Sequence, residues 1–461
     1  MTRILKNLNY KILGVALVLN FSSCEKFVDL GAPPTQISFD DAFKTDAAAQ
    51  STVLGIYSVA SAAANGFLTV NNFYPEISGG DVQYNGADAV IQEFAANALT
   101  NNNLTVNSTW GMTYSLLKNA NNAINGLNSS STLSPAMKAQ LLGEAKFFRA
   151  FCFFQLVNLY GDVPLPLKDA LSAIENSMLP RSTTTQVYAQ IISDLTDAQT
   201  SLPLTYVGTF RGRINKLAAT SLLARVYLYL KDYTNAELQA TQVITSGTYS
   251  LPSPATSFIN TSNEIIWQIA NLNGFSVFGT AYVTAPTVVP AYSLSEATYQ
   301  QFEGTNDLRR SNWVALKTLN ARTYYAITKY KLTSGAAGNE YNVVLRFAEL
   351  YLIRAEARAQ LNNLSGAKTD VDAIRSRAGL TGVSATLSQP QMLTAIEKER
   401  RLEFFGEWGH RWFDLKRTNR ADVVLRALRP TTWKSTSVLY PIPQPQILLN
   451  PTLTQNEGYI N

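Results

Sequence analysis

Apolar residues recur at intervals of three and four along much of this chain, which is the spacing of amphipathic helices. Residues 109–128 follow this spacing, with apolar positions at Trp110, Tyr114, Leu117, Ala120 and Ile124. An alanine-rich helix is predicted to start earlier, at Asp40 or Asp41, because acidic residues are good helix N-caps.

A longer helix is predicted from the pair Ser134-Pro135, which has the pattern of a cap followed by the first helical turn. The helix should end at Gly161, shortly before Pro164. Its middle is apolar on nearly all sides, so we expect it to pack against several neighbours.

An internal repeat lies further along the chain. Residues 222–243 align with residues 353–374 at a constant offset of 131, and small or apolar positions coincide. Each copy has the pattern of a helix, a short polar turn and a second helix, which is the layout of a tetratricopeptide unit. Because one unit cannot bury its own apolar face, about three or more should stack. The helices at 104–128 and 134–160 are candidates for another unit.

Two segments break the helical pattern. Residues 65–103 and 245–345 are rich in Gly, Asn and aromatic residues, with one short strand predicted at Ile265–Ile269. Trp267 lies in that strand, which we expect to be buried. Long irregular segments on a helical scaffold are where binding sites tend to occur.

The predicted fold is therefore mostly α. It is a tetratricopeptide-like helical repeat scaffold (an α/α superhelix) with long loop-rich inserts and a few short strands. The repeat helices are assigned to 104–244 and 341–417.

The first thirty residues have the pattern of a lipoprotein leader. A basic start precedes an apolar run over residues 12–21 that is too short to span a bilayer. Two serines then lead into Cys24. We predict a signal peptide at 1–23, lipid attachment at Cys24, an extended tether at 24–39 and a body at 40–461. Ordinary secretion with an unmodified cysteine is the alternative.

Composition narrows the function classes. Charged residues make up only 15% of the chain, and the formal net charge is +5. Three of those positive charges lie in residues 1–23, which leaves +2 without them. This small net charge does not indicate a nucleic-acid-binding protein, which would need a concentrated basic face. The second cysteine, Cys152, lies in an apolar run and is predicted to be a buried core residue.

The sequence lacks the common catalytic and metal-binding motifs. His410 is the single histidine, which excludes HExxH zinc sites, and no phosphate-binding glycine loop is present. Oxygen donors at Asp81, Asn85 and Asp88 lack EF-hand spacing. Glu403, His410 and Asp414 form a conceivable active site, but no nucleophile accompanies them, and pairing of Arg and Glu at helical spacing is favoured. We predict no catalytic residue, metal or cofactor.

Six segments, taken in order, resemble a known family. They are CEKFVDL, EAKFFRAFCFFQLVNLYGDVPL, LLARVYLYLKDYTNA, LRFAELYLIRAEARAQ, AIRSRAGL and IEKERRLEFFGEWGHRWFDLKR. Together they are similar to the SusD/RagB family of outer-membrane lipoproteins of Bacteroidetes-type bacteria, with Phe21 before the lipid cysteine as a small departure. The resemblance implies a lipid on Cys24 and a structural ion-pair motif made of Glu399, Arg400, Arg401, Arg411 and Asp414.

The resemblance also implies a function. Such proteins have four tetratricopeptide-like units, lie at the cell surface over a SusC-like TonB-dependent β-barrel transporter, and capture an oligosaccharide or, in some relatives, a peptide for import. The alternatives are a tetratricopeptide scaffold lipoprotein that binds only protein partners and a secreted glycoside hydrolase.

Aromatic rings stack on the apolar faces of sugars, while amides and carboxylates bond the hydroxyls. On that basis the two inserts contain the candidate ligand-binding residues, with the positions after Gly79-Gly80 ranked highest. These candidates are Tyr74, Asp81, Tyr84, Asn85, Phe275, Phe278, Tyr282, Tyr292 and Trp313.

Overall fold

The computed structural model describes residues 38–62, 66–168, 173–271, 274–333 and 338–460. The predicted signal peptide, Cys24 and nearly all of the tether lie outside the described residues. The helices are α1 (Asp46–Ser61), α2 (Phe67–Gly79), α3 (Ala89–Ala96), α4 (Leu104–Ser129), α5 (Pro135–Tyr160), α6 (Ala173–Ser177), α7 (Thr184–Ser201), α8 (Lys216–Tyr229), α9 (Tyr233–Ile244), α10 (Val277–Tyr282), α11 (Glu296–Tyr299), α12 (Leu308–Trp313), α13 (Phe347–Gln360), α14 (Leu364–Arg377), α15 (Gln389–Phe404), α16 (His410–Arg417), α17 (Ala421–Leu428) and α18 (Gln444–Leu449). The strands are β1 (Val82–Tyr84), β2 (Ile265–Ile269), β3 (Tyr292–Leu294), β4 (Val314–Leu319), β5 (Arg322–Ile327) and β6 (Asn342–Arg346).

Two of the predicted helix starts have different outcomes. Helix α5 begins at Pro135 as predicted, and Ser134 donates through its backbone N–H and its hydroxyl to Asp46, at 2.9 and 2.6 Å. Helix α1 begins at Asp46 and not at Asp40 or Asp41. The reason is that Thr45 is the extended N-cap residue and accepts a hydrogen bond from the amide of Ala48 at 3.2 Å.

The internal repeat is confirmed. Helices α8 and α9 begin at Lys216 and Tyr233, and α13 and α14 begin 131 residues later, at Phe347 and Leu364. Small residues such as Ala224 and the matching Ala355 are fully buried, which allows the paired helices to approach closely.

The repeat helices belong to one continuous stack. Helices α4, α5, α7, α8, α9, α13 and α14 each pack against the next in that order, and α15 packs on both α13 and α14. The predicted mostly α, tetratricopeptide-like fold is therefore confirmed. Cys152 lies in the middle of α5 as a free, buried thiol, and burial raises its pKa. Within the described ranges, no helix is long and apolar enough to cross a bilayer.

The strands form two small antiparallel sheets. One has four strands in the order β1-β3-β5-β4, and the other pairs β2 with β6. Strand β2 has the predicted bounds, and every residue in it is buried. Trp267 lies in it, surrounded by three aromatic rings of α5 at 5.1–5.7 Å, from Phe147, Phe148 and Phe151.

The first predicted insert, 65–103, is not mainly loop. It contains α2, which is buried along its whole length except at one residue, and α3. The asparagines of α2 suggested a loop, but their side chains are paired inside the core. Asn71 donates to Thr113 at 3.1 Å, and Asn72 donates to Tyr282 at 3.3 Å.

Candidate functional site

A groove of about 440 Å³ lies where β1, the chain leading into α3, the β4–β5 hairpin and the end of α17 meet. This volume is within the usual size range of small-ligand sites. The residues that give it its chemistry are Gly80, Gln83, Tyr84, Asn85, Arg322 and Arg429.

The floor of the groove begins where α2 ends. Gly80 has a φ of 83°, which terminates α2 and turns the chain into β1. Arg429, which follows α17, donates to the last carbonyls of α2, those of Ile77 and Ser78, each at 2.8 Å. Burial lowers the pKa of this guanidinium to about 10. The contact ties the end of α17 to the turn that carries β1.

Tyr84 supplies the aromatic surface of the groove. It ends β1 directly opposite Tyr292 of β3, and the two ring centroids are 5.5 Å apart. Phe73 in turn stacks on Tyr292, with 5.0 Å between the two ring centroids. The half-buried ring of Tyr84 is thus supported from within, while part of it faces the groove.

Hydrogen bonds from its two nitrogen atoms hold Asn85 in place, and its side-chain oxygen is not used in them. Its backbone N–H donates to Ala291 at 2.8 Å, and its side-chain amide nitrogen donates to the carbonyl of Pro290 and the hydroxyl of Ser293, both at 2.9 Å. No donor among the described residues reaches its side-chain oxygen. That oxygen is a fixed acceptor beside an aromatic ring.

Arg322 lies at the start of β5. The two-residue turn before it, Asn320-Ala321, has φ values of 53° and 60°, as a tight hairpin turn requires. The guanidinium of Arg322 lies 5.0 Å from the ring centroid of Tyr324, two residues along the same strand. None of the described carboxylates forms an ion pair with it.

These groups suit a polyhydroxylated ligand. An aromatic face can cover the C–H face of a sugar ring, while amides and guanidinium groups bond its hydroxyls. The described residues that line the groove include no nucleophile with an adjacent base.

Only some of the predicted ligand residues lie at the groove. Tyr84 and Asn85 line the groove, and Tyr292 is half-buried beside Tyr84. Phe275 is also half-buried but does not line the groove. Gln83, Arg322 and Arg429 were missed, although the hairpin turn before Arg322 is a signal that the sequence carries.

Four predicted aromatic ligands are core residues instead. Tyr74, Phe278, Tyr282 and Trp313 are all buried, so the prediction is wrong for them. The indole N–H of Trp313 donates to the carbonyl of Pro254 at 2.8 Å, and the hydroxyl of Tyr282 donates to that of Gly406 at 3.3 Å. Their polar atoms are therefore satisfied inside the fold.

Asp81 is a structural residue, which corrects its high rank as a ligand. Its side chain is buried, and one oxygen accepts from Arg401 Nε and from the hydroxyl of Thr298, both at 2.7 Å. Its backbone carbonyl accepts from Ser295 at 2.7 Å. Asp81 therefore fastens β1 to α11 and α15. This pairing also removes it from any calcium site with Asp88, whose carboxylate caps α3.

All five residues of the proposed ion-pair motif are ion-paired. Glu399 binds Arg309 and Arg375, each at 2.7 Å, and Arg400 binds Asp414 at 2.7 Å. Arg401 reaches Asp81, and Arg411 reaches Glu397 at 2.8 Å. The motif joins α15 to α16, to α12 and α14, and to the strand that forms the groove.

Glu403, His410 and Asp414, the conceivable active site, are not joined to one another by any side-chain hydrogen bond or ion pair in the described structure; the two acids are paired with arginines instead. Glu403 is buried beside Arg346, at 2.5 Å, and Arg377, and these cations lower its pKa. Asp414 is held by Arg400 and Arg417. Among the described residues there is also no group of three or more metal-ligating side chains.

Two family profiles match the chain. The profile described as the SusD family matches residues 295–459, and the one described as starch-binding, associating with outer membrane, matches residues 40–228. Two SusD-like proteins of Formosa agariphila are 24% and 27% identical to the chain, and each alignment covers 98% of it and at least 98% of the relative.

Solved structures share the fold. A SusD superfamily protein from Bacteroides vulgatus superposes with a TM-score of 0.78 at 20% identity, over 90% of this chain and 99% of that one. A protein described as a laminarin-binding SusD-like protein superposes with a TM-score of 0.75 at 23% identity, over 90% of this chain and 100% of the other.

Proposed function

This chain belongs to the SusD/RagB family, and from that membership we propose that it is a cell-surface lipoprotein that binds an oligosaccharide nutrient and delivers it to a SusC-like TonB-dependent transporter in the outer membrane. One matching profile is described as starch-binding and outer-membrane-associated, and one structural neighbour is described as laminarin-binding. Both descriptions support a glycan ligand, and the first also supports an outer-membrane location.

The groove at Tyr84 is the observation that carries the proposal. It combines an accessible ring, the uncommitted side-chain oxygen of Asn85 and the exposed amide of Gln83 within one concave surface. These are the groups that bind a chain of sugars, and the described residues that line the same surface include no acid–base pair that would cleave one.

The membrane part of the proposal rests on the first residues of the sequence. The basic start, the short apolar run and the serines before Cys24 support export followed by lipid attachment. A multiply acylated cysteine would hold the protein on the outer membrane, facing the cell exterior. There the helical stack would pack toward the transporter, and the inserts would present the nutrient.

A binding experiment tests the nutrient role. The full chain, extracted from membranes in detergent, is applied to an array of oligosaccharides and peptides. We expect binding to at least one oligosaccharide, with at least a tenfold loss of affinity in Tyr84→Ala, because stacking on an aromatic ring contributes strongly to sugar binding. The matched control is Tyr227→Ala, a half-buried tyrosine of α8 outside the groove.

The alternatives give different results in the same experiment. A peptide ligand would replace the glycan signal and keep its dependence on Tyr84. A scaffold that binds only protein partners would bind neither class, and a hydrolase would release shortened products from the bound glycan. Either of these last two results would contradict the proposal.

A further inference from the structure

We propose that the groove selects an anionic saccharide, one that carries carboxylate or sulfate groups. The inference rests on the proposed function and concerns which class of glycan the same groove takes. Two arginines, Arg322 and Arg429, line the groove, and the described residues that line it include no aspartate or glutamate. Each of these arginines lacks a carboxylate partner within the described part of the chain.

Arg429 has N–H groups to spare in a half-buried position. A guanidinium carries five N–H donors in a fixed planar fork. Two of them bond the carbonyls of Ile77 and Ser78, one from each terminal nitrogen. Three N–H groups remain. Among the described residues, the positive charge of this guanidinium is compensated by the two carbonyl dipoles and by no carboxylate. A charged oxygen atom in the groove would supply the missing partner.

Arg322 approaches the groove from a different element. Its guanidinium is exposed and lies over the ring of Tyr324, which restricts its position without using its N–H groups. Charged groups on two independent elements, the β4–β5 hairpin and the end of α17, can therefore contact successive residues of one acidic chain.

The two nearby acids Asp81 and Asp88 do not line the groove. Asp81 is buried and paired with Arg401, and Asp88 is exposed, does not line the groove and caps α3 through a 2.9 Å bond from Val90. The contrast with the rest of the fold is clear at Arg225 and Arg346, where buried carboxylates occupy the fork.

The test uses glycans that differ only in charge. The full chain in detergent is titrated with oligogalacturonate and with its methyl ester, and with sulfated and unsulfated laminarin. We expect at least one acidic glycan to bind at least tenfold more tightly than its neutral partner at low salt. The preference should shrink as ionic strength rises, because exposed charge pairs are screened. The galacturonate pair tests recognition of a carboxylate, and the laminarin pair tests recognition of a sulfate.

Substitutions assign the preference to the groove. Arg322→Gln and Arg429→Gln should each reduce the acidic-to-neutral ratio at least threefold, while Arg420→Gln, at an exposed arginine away from the groove, should not. Arg429→Gln also removes the contact with the end of α2. If that variant fails to fold, Arg322→Gln, on an exposed hairpin, still decides the question.

Three results would overturn the inference. Equal or tighter binding of the neutral partners would contradict it while leaving the nutrient role intact. An acidic preference that survives both substitutions would place the charge selection elsewhere. Absence of binding to every glycan, charged or neutral, would remove the proposed function as well.

Discussion

Arg225 of the first repeat copy and Glu349 of the second form a two-point ion pair, with Nε–Oε1 at 2.7 Å and Nη2–Oε2 at 2.6 Å. The side chains are only 2% and 3% exposed. The pair joins α8 to α13, so it crosses between the two copies of the repeat. Each of these two buried charges is thus compensated by the other inside the helical stack.

Glu349→Gln should therefore destabilise the protein by about 3–5 kcal/mol, because it leaves the Arg225 charge buried without a counter-charge. Thermal or denaturant unfolding measures the change. Replacing both residues with Met should recover much of the loss, since an apolar pair of similar volume removes the uncompensated charge. The control is Asp41→Asn, which breaks an exposed pair with Lys44 and should change stability far less, because solvent screens that pair. Equal effects in the two variants would contradict this account.

Asp81 and Tyr84 should behave in opposite ways. Asp81→Asn weakens the contacts to Arg401 and Thr298 and should lower stability by about 1–3 kcal/mol. Glycan affinity of the folded variant should remain within about threefold of the wild type, since Asp81 is buried away from the groove surface. Tyr84→Ala should lose affinity with little change in melting temperature. A large affinity loss in Asp81→Asn without loss of stability would restore it as a ligand.

Cys24 should determine where the protein is found. In Cys24→Ala we expect the protein to leave the membrane fraction, because the single predicted lipid attachment site is gone. Cell fractionation and metabolic labelling with a fatty-acid analogue measure this directly. Cys152→Ala is the control, since that thiol is buried in α5 and cannot be the attachment site. Retention of the Cys24 variant in the membrane would refute lipid anchoring.

His410 should make the protein sensitive to mild acid. Burial, with the nearby Arg225 and Arg400, lowers the pKa of this ring well below its ordinary value of 6.5. Below pH 6.5 the unfolded chain takes up a proton that the folded state refuses, so stability falls as pH falls through that range. The slope is at most about 1.4 kcal/mol per pH unit.

His410→Gln cannot titrate and should lose less stability between pH 6.5 and 5. Well above pH 6.5 the ring is neutral in both states, so the difference in stability between the two proteins should become constant there. Unfolding curves at pH 5, 6, 7 and 8 measure both parts. Parallel pH dependence of the two proteins would contradict the assignment to His410, which is the single histidine of the chain.

Two glycines should respond in opposite directions to alanine. Gly409 has a φ of 69°, and a Cβ there would lie 2.4 Å from Cβ of Pro75 in α2. Gly409→Ala should therefore destabilise the protein by about 1–3 kcal/mol through backbone strain and displacement of α2. Gly111 is an exposed position in α4 with no atom within 4 Å of its Cβ site. Gly111→Ala should stabilise by about 0.5–1 kcal/mol, which unfolding measurements can resolve.

The sequence predicted the helical scaffold well because helices are encoded locally. The apolar spacing of each repeat helix and the Pro135 that starts α5 act within one or two turns of the chain. The start of α1 was misplaced because Asp40, Asp41 and Thr45 are all acceptable caps. Only the extended backbone at Thr45 selects among them.

The groove was predicted only in part, and the reason is distance along the chain. The Gly79-Gly80 pair marked the segment that carries Tyr84 and Asn85, and both of these residues line the groove. The partner that buries Asp81 lies 320 residues away, so nothing near Asp81 distinguishes it from a ligand. Likewise, an aromatic such as Trp313 has the same local signature whether it packs in a core or contacts a sugar.

The antiparallel pairing of β2 with β6 has a consequence for how such proteins diversify. Ile265 lies opposite Arg346, so the chain leaves the repeat stack and returns to it at nearly the same place. The segment between those two strands, which includes the hairpin that carries Arg322, is covalently joined to the rest of the chain at this one place, but it also docks on the fold through the pairing of β3 with β1 and of Arg309 with Glu399. An exchange of this segment for another would therefore have to preserve its two ends and these two docking contacts, whereas an exposed position such as Arg322 is under no such constraint.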